Sequence, residues 1–210
     1  MLRQDIKDIA QPLKIPFLVH FTRAINLESI MKYGLYPKSR ISELGVTPHI
    51  NDQHRHDGRP ESTSLSISFP NYRMFYKYRQ EDPSVGWVVL LLPAYLLWRK
   101  DCAFCRYNAA TTTISTTPTE ELKTPQAFLD MFEDDGTRDE EALKAYDPTD
   151  EQAEVLVFDV IEPRYIKYAV FNDSNTMASS VQFLGDCEPS LVGSRKEFFG
   201  TRGYDRKFGG

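Results

Sequence analysis

Glu154 is the first residue of this sequence that asks for a chemical explanation. It sits in Ala153-Glu154-Val155-Leu156-Val157-Phe158-Asp159-Val160, a run whose branched and aromatic residues predict a strand. Alternation sends Glu154, Leu156, Phe158 and Val160 to one face and Ala153, Val155, Val157 and Asp159 to the other. Both faces are apolar, so the strand is expected inside a sheet. A carboxylate there loses hydration and needs a partner or a role. Two readings stand: a strand-end glutamate that reaches solvent or a salt bridge, and a functional acid. His20 and Thr22 form a second group. They close the strand-like run Ile15–Thr22 and share one face, two residues apart. A satisfied structural histidine and a ligand-holding one both fit that placement. The third group is His49, His54, Arg55, His56 and Arg59, with three of the four histidines of the chain. It reads as a phosphate-binding loop or as a solvated polar loop.

Other residues admit chemical and structural readings side by side. Ser64, Ser66 and Ser68 alternate with Leu65, Ile67 and Phe69, a period-2 strand with one hydroxyl-lined face. Those hydroxyls serve a ligand, or simply line a solvated sheet face. Met74-Phe75-Tyr76 offers a surface for a planar ring, or an aromatic edge of the core. Cys102 and Cys105 have the C-x-x-C spacing, but the third cysteine, Cys187, stands alone. A closed zinc site would need Cys187 and a histidine, so ordinary thiols are the simpler reading and no metal is expected. The sequence has no G-x-G-x-x-G, Walker, H-E-x-x-H or G-x-S-x-G motif.

The elements that must position these residues alternate irregularly. A short helix is expected over Asn26–Gly34, with Leu27, Ile30 and Met31 on one face, Asn26 as N-cap and Gly34 just past its end. Residues 36–62 lack apolar periodicity, and a loop that long is usually functional or disordered. Gly86–Leu92 reads as a central strand and Ile166–Phe171 as another. Thr124-Pro125 opens a helix that carries Phe128, Leu129 and Phe132, and 139–146 is expected to form a further short helix. The stretch 198–210 is Gly- and Arg-rich, and its end is expected to fray. Strands and short helices without βαβ spacing predict an α+β fold with a mixed or mainly antiparallel central sheet and long functional loops.

Length and charge set the outer bounds. The 210 residues fit one domain spanning 1–210, with 41% hydrophobic and 26% charged residues. A net charge of −5 excludes a uniformly basic nucleic-acid clamp but allows a local basic groove. The polar start, MLRQDIKDIA, and few cysteines suggest the cytoplasm.

In order, these pieces resemble a known family. His20-Phe21-Thr22 followed by Asn26-Leu27 and Ile30 resembles the H-x-T-x-x-x-N-L-x-x-I opening of the DarT toxins. Ser66 through Tyr76, with Pro70, Met74 and Tyr76, resembles their P-x-x-x-M-x-Y block, and Gln152-Ala153-Glu154-Val155-Leu156-Val157 their Q-A-E-x-L-V strand. DarT proteins are the toxins of DarTG pairs and fold like ADP-ribosyltransferases. They take NAD, release nicotinamide and attach ADP-ribose to a base of single-stranded DNA. The resemblance implies Glu154 as catalytic glutamate and Arg55 as catalytic arginine, with Arg59 the alternate. It implies NAD contacts from His20, Thr22, Asn26, Met74 and Tyr76. Arg73, Arg79, Arg106, Tyr107 and Asn108 would meet the DNA. The expected partners are single-stranded DNA and a macrodomain-type or other ADP-ribosyl glycohydrolase antitoxin, with the toxin itself a monomer. The sequence departs from the thymidine-modifying members, which have V-P-F-Y-F where this chain has Leu65-Ser66-Ile67-Ser68-Phe69. That hydroxyl-lined strand favours guanine over thymine as the modified base. An enzyme acting on RNA or protein, and an inactive nucleic-acid-binding module, are the competing expectations.

Overall fold

The computed structural model of this chain describes residues 2–45, 49, 57–192 and 197–208. Its sheet has seven strands: β1 (Leu18–Arg23), β2 (Thr63–Ile67), β3 (Trp87–Leu92), β4 (Cys102–Cys105), β5 (Glu154–Val157), β6 (Tyr168–Phe171) and β7 (Glu188–Leu191). They lie in the order β4-β5-β2-β1-β3-β6-β7. The pairings are antiparallel apart from the parallel β6–β7 edge. This is the expected α+β architecture with a mainly antiparallel sheet. Around it run α1 (Gln4–Ala10), α2 (Leu27–Tyr33), α3 (Tyr72–Glu81), α4 (Leu96–Arg99), α5 (Thr112–Ser115), α6 (Thr119–Leu122), α7 (Pro125–Asp130), α8 (Ser174–Ser180) and α9 (Arg202–Phe208).

Strand composition follows position in the sheet. β3 lies between β1 and β6, and all six of its residues are buried, as a continuous apolar run requires. β5 lies between β4 and β2, and its four residues are buried too. Alternation then divides the core. Leu18, Leu65, Ile67, Val155 and Val157 pack with Leu27, Ile30 and Phe128 on one face. On the other face, Val19, Val89 and Leu91 pack with Phe75 and Phe199, while Ala103, Cys105 and Leu156 pack with Ile114 and Leu122.

The helix signals hold where a local reason stands behind them. Gly34 ends α2 at φ +102°, and its N–H donates to the Ile30 carbonyl at 2.7 Å. A Cβ there would stand 2.3 Å from the Ile161 carbonyl oxygen, so the close approach also demands glycine. Thr124 caps α7, accepting from the Ala127 N–H at 3.2 Å, with Pro125 at the first helical position.

Two expectations change. Asn26 makes no cap on α2, because its amide is engaged elsewhere. Residues 139–146 form turns rather than a helix: Ala142 is at φ +55°, and the Lys144 backbone is held by Arg138 and Asp147 instead of by helical bonds. Residues 202–208 of the Gly- and Arg-rich stretch are helical as α9, because Arg202 and Arg206 dock in buried polar sites on the body, and the end expected to fray, 209–210, lies outside the described residues. Helix α3 was hidden by its composition. Aromatic residues are modest helix formers, and packing of Phe75 with an Asn71 cap on the Met74 N–H at 3.2 Å decides the outcome.

Candidate active site

The site begins where the sheet divides. β1 and β2 pair only at Leu18↔Ile67 and Val19↔Ser66. Beyond that point β1 continues against β3 as far as Arg23↔Trp87, while β2 continues against β5 to Thr63↔Val157. The two strands therefore separate at His20 and Ser64, and backbone groups that a closed ladder would pair face the gap. His20 satisfies one of them: its Nδ1 donates to the Ser64 carbonyl at 3.0 Å. A carbonyl only accepts, so Nδ1 carries the proton. Burial pushes the His20 pKa below its ordinary value, against a smaller opposing effect of the Ser64 carbonyl. The ring is thus neutral at pH 7, with Nε2 as an acceptor.

Glu154 stands on the other lip. It is the first residue of β5, opposite Cys105 of β4, and is 6% exposed. The Ser64 hydroxyl donates to its Oε2, and the Ala109 N–H reaches Oε1 at 3.4 Å. Ser64 therefore touches both groups, His20 through its carbonyl and Glu154 through its hydroxyl. Burial, then the nearby Glu154 charge, pushes the Cys105 thiol up to about 12, so it stays protonated.

A cavity of about 220 Å³ opens between these lips. His20, Thr22, Asn26, Met74 and Glu154 all border it, as do Ser64, Tyr78 and His49. Asn26 contributes geometry. Its Nδ2 donates to Thr22 Oγ1 and to the His49 carbonyl, both at 3.0 Å, and its Oδ1 accepts from the His49 N–H at 2.9 Å. The amide clasps the His49 backbone against β1, so the N-cap signal in the sequence concealed a wall-building residue.

The remaining predicted residues are distributed differently. Tyr76 is exposed, its ring tilted against that of Tyr72 at 5.6 Å; Tyr78, one helical turn after Met74, borders the cavity instead. Helical periodicity would have found it had α3 been recognised. Arg73 is exposed and paired with Glu151 at 2.6 Å. Arg79 is partly buried over Phe75 and Phe199 and donates to the Phe199 carbonyl at 2.9 Å. Arg106 pairs with Glu133 beside the exposed Tyr107 ring, and the Asn108 side chain accepts from the Ala110 N–H. Arg55, like His54 and His56, lies outside the described residues. Arg59 is buried, its guanidinium on the carbonyls of Ile114 and Thr117. The strand hydroxyls are occupied internally: Ser64 by Glu154, Ser66 by the Asn71 N–H and Ser68 by Asp147. Among the described residues, no group of three or more His, Cys, Asp and Glu side chains is arranged to hold a metal ion, and no helix is long and apolar enough to cross a membrane.

A divided antiparallel sheet carries a neutral histidine on one lip and a buried glutamate on the other, the two residues that head the DarT resemblance. The family comparison makes it specific. A sequence model of the family described as ssDNA thymidine ADP-ribosyltransferase, DarT, matches residues 19–189. The chain belongs to the DarT family. Among curated proteins none matches the sequence. Solved structures share the fold at low identity. Thermus sp. 2.9 DarT in complex with ADP-ribosylated ssDNA gives a TM-score of 0.61 at 13% identity, over 85% of this chain and 94% of that one. The same protein in complex with NAD+ gives 0.54 at 14%, over 85% and 96%. Thermosipho africanus DarTG in complex with ADP-ribose gives 0.55 at 15%, over 87% of this chain but 50% of that one, so this chain spans about half the DarTG length.

Proposed function

We propose that this protein is an NAD-dependent mono-ADP-ribosyltransferase that modifies thymine in single-stranded DNA, acting as the toxin of a toxin–antitoxin pair. The observation that carries the proposal is the Ser64 bridge, which sets His20 and Glu154 on one cavity at the sheet division of a DarT-family chain.

The roles follow from the geometry. His20 presents a neutral Nε2 acceptor suited to the carboxamide of nicotinamide, with Thr22 beside it. Met74 and Tyr78 supply apolar and aromatic surface for the ring. As the nicotinamide–ribose bond breaks, its electron pair leaves with nicotinamide and positive charge builds on the ribose. Glu154 is placed to stabilise that charge; electrostatic groups of this kind are worth ~10²–10³ in rate. The only N–H of a thymine base in DNA is its ring nitrogen. That nitrogen bonds to the ribose carbon, and its proton passes to Glu154 as general base. Arg55, which the family resemblance and not the geometry assigns, serves the pyrophosphate or orients the base. A single strand supplies the base unstacked at little cost.

Thymine replaces guanine for a physical reason. The guanine reading needed free hydroxyls turned to the substrate; Ser64 and Ser66 border the cavity, but Ser64 is engaged by Glu154, Ser66 by the Asn71 N–H and Ser68 by Asp147. The family description, which names thymidine, points the same way. The likeness to DarTG supports an antitoxin as partner; its chemistry as an ADP-ribosyl glycohydrolase, of the macrodomain type or another, and a cytoplasmic location for both proteins belong to the proposal. The test is mass spectrometry of four oligonucleotides, each lacking one base, after incubation with NAD. An added ADP-ribose on every oligomer except the one without thymine is expected. Modification of the thymine-free oligomer overturns the base assignment, and equal modification of paired duplex overturns the strandedness.

A further inference from the structure

Residues 106–119 leave β4 next to Cys105, the cross-strand partner of Glu154, and return through α5. The Ala109 N–H contacts the Glu154 carboxylate, so this segment begins at the reacting group. Its outer side exposes Tyr107 and Thr111 to Thr113. α5 is four residues long, too short to hold its own shape. Ile114 anchors it on the apolar side. The polar side is anchored by one residue more than fifty positions away.

That residue is Arg59, 5% exposed. Its Nη2 donates to the carbonyls of Ile114 at 3.1 Å and Thr117 at 2.6 Å, and its Nε to Thr119 Oγ1 at 3.2 Å. Nη1 turns back to the Asp57 carbonyl at 3.2 Å. A cation on carbonyls at the end of a helical turn is doubly favourable, by hydrogen bonding and by the local dipole. The Arg59 backbone faces the cavity side: its carbonyl accepts from the Ser62 N–H at 3.2 Å and from the Ser62 hydroxyl at 3.0 Å. Ser62 lines the cavity two residues before Ser64. One planar fork thus joins the cavity wall to the segment outside Glu154. Lysine keeps the charge but presents a single nitrogen, which cannot meet acceptors spread over three residues.

We infer that Arg59 is a positioning residue that holds 106–119 in the pose that receives the DNA strand, so that it governs the nucleic acid and not NAD. This rests on the function proposed above. Arg59→Lys and Thr119→Val are compared with the wild type in three measurements. In steady-state kinetics, the KM for a thymine-containing oligonucleotide is expected to rise about tenfold in Arg59→Lys and about twofold in Thr119→Val. NAD affinity by calorimetry stays within about twofold of wild type, since the NAD contacts are untouched. Hydrogen exchange at the 111–119 amides is faster in both variants, while β5 keeps its protection. Unchanged exchange over 111–119 overturns the positioning role, as does an unchanged oligonucleotide KM. A loss of NAD affinity as large as the oligonucleotide effect overturns it too, by placing Arg59 in the NAD site. A wild-type protein that modifies no oligonucleotide defeats the proposed function instead, and the exchange comparison still decides the role of Arg59.

Discussion

Asp147 and Glu154 are buried carboxylates seven positions apart, at 0% and 6% exposure, in opposite surroundings. Asp147 is enclosed. Arg206 of α9 grips it through Nε at 2.7 Å and Nη2 at 2.8 Å, the Ser68 hydroxyl donates at 2.5 Å and the Lys144 N–H at 2.9 Å. Burial alone would raise its pKa, but the Arg206, Ser68 and Lys144 donors outweigh that and hold it below the ordinary carboxylate value. Glu154 receives the Ser64 hydroxyl and the Ala109 N–H and borders a cavity. The difference separates two uses of one chemical group. An arginine fork saturates a carboxylate and fixes a tail; at the sheet division a carboxylate is oriented and still open to a ligand. Arg206 lies beyond the family-matched span 19–189, while its partner Asp147 lies within it.

Single substitutions should pull the two carboxylates apart. The largest effect is expected from Asp147→Asn, which takes the fully buried carboxylate from Arg206 and leaves it only the more exposed Asp205 at 2.7 Å, at a cost of up to about 3–5 kcal/mol of stability. Denaturant titration checks this, and activity per folded molecule should persist. Glu154→Gln should leave unfolding nearly unchanged and lower transfer by ~10²–10³, read as ADP-ribosylated oligonucleotide per unit time. Severe destabilisation by Glu154→Gln, or an inactive but stable Asp147→Asn, would erase the distinction. His20→Asn follows, with the KM for NAD raised about tenfold by loss of one well-aligned contact in a closed site.

Acid should separate the regions next. The His20 pKa is depressed on folding, so its contribution is present above the unfolded value near 6.5 and is lost as pH falls through the lower folded value. Asp147 is also depressed, so its contribution is present above 3.8 and disappears only as pH falls below that. Stability measured against pH should therefore fall in two windows; His20→Asn removes the upper one and Asp147→Asn the lower. A smaller change is expected from replacing the pair together. Asp147→Leu with Arg206→Met should cost less than Asp147→Asn, about 1–3 kcal/mol, because an apolar pair replaces the buried ion pair at little cost but leaves the Ser68 hydroxyl and the Lys144 N–H without their acceptor.

The sequence by itself determined what depends on neighbours along the chain. Alternation in 153–160 and the apolar run at 87–92 made β5 and β3 internal strands, because side-chain direction follows strand period. Gly34 and the Thr124-Pro125 pair marked helix ends, because φ and capping are local. The order of His20-x-Thr22, Met74 and Glu154 carried the family. Tertiary structure decided which hydroxyl meets which carboxylate. Ser64, Ser66 and Ser68 are equivalent by period, yet the first holds Glu154, the second accepts from Asn71 and the third holds Asp147. It also decided that Asn26 clasps His49, that Arg59 grips a segment 55 to 60 positions away, and that α9 docks on the body through Arg206. The cause is the same in each case. A buried polar group must be satisfied by whatever donor or acceptor the fold brings within about 3 Å, and that partner is set by strand order and by the division of the sheet, which no local pattern encodes.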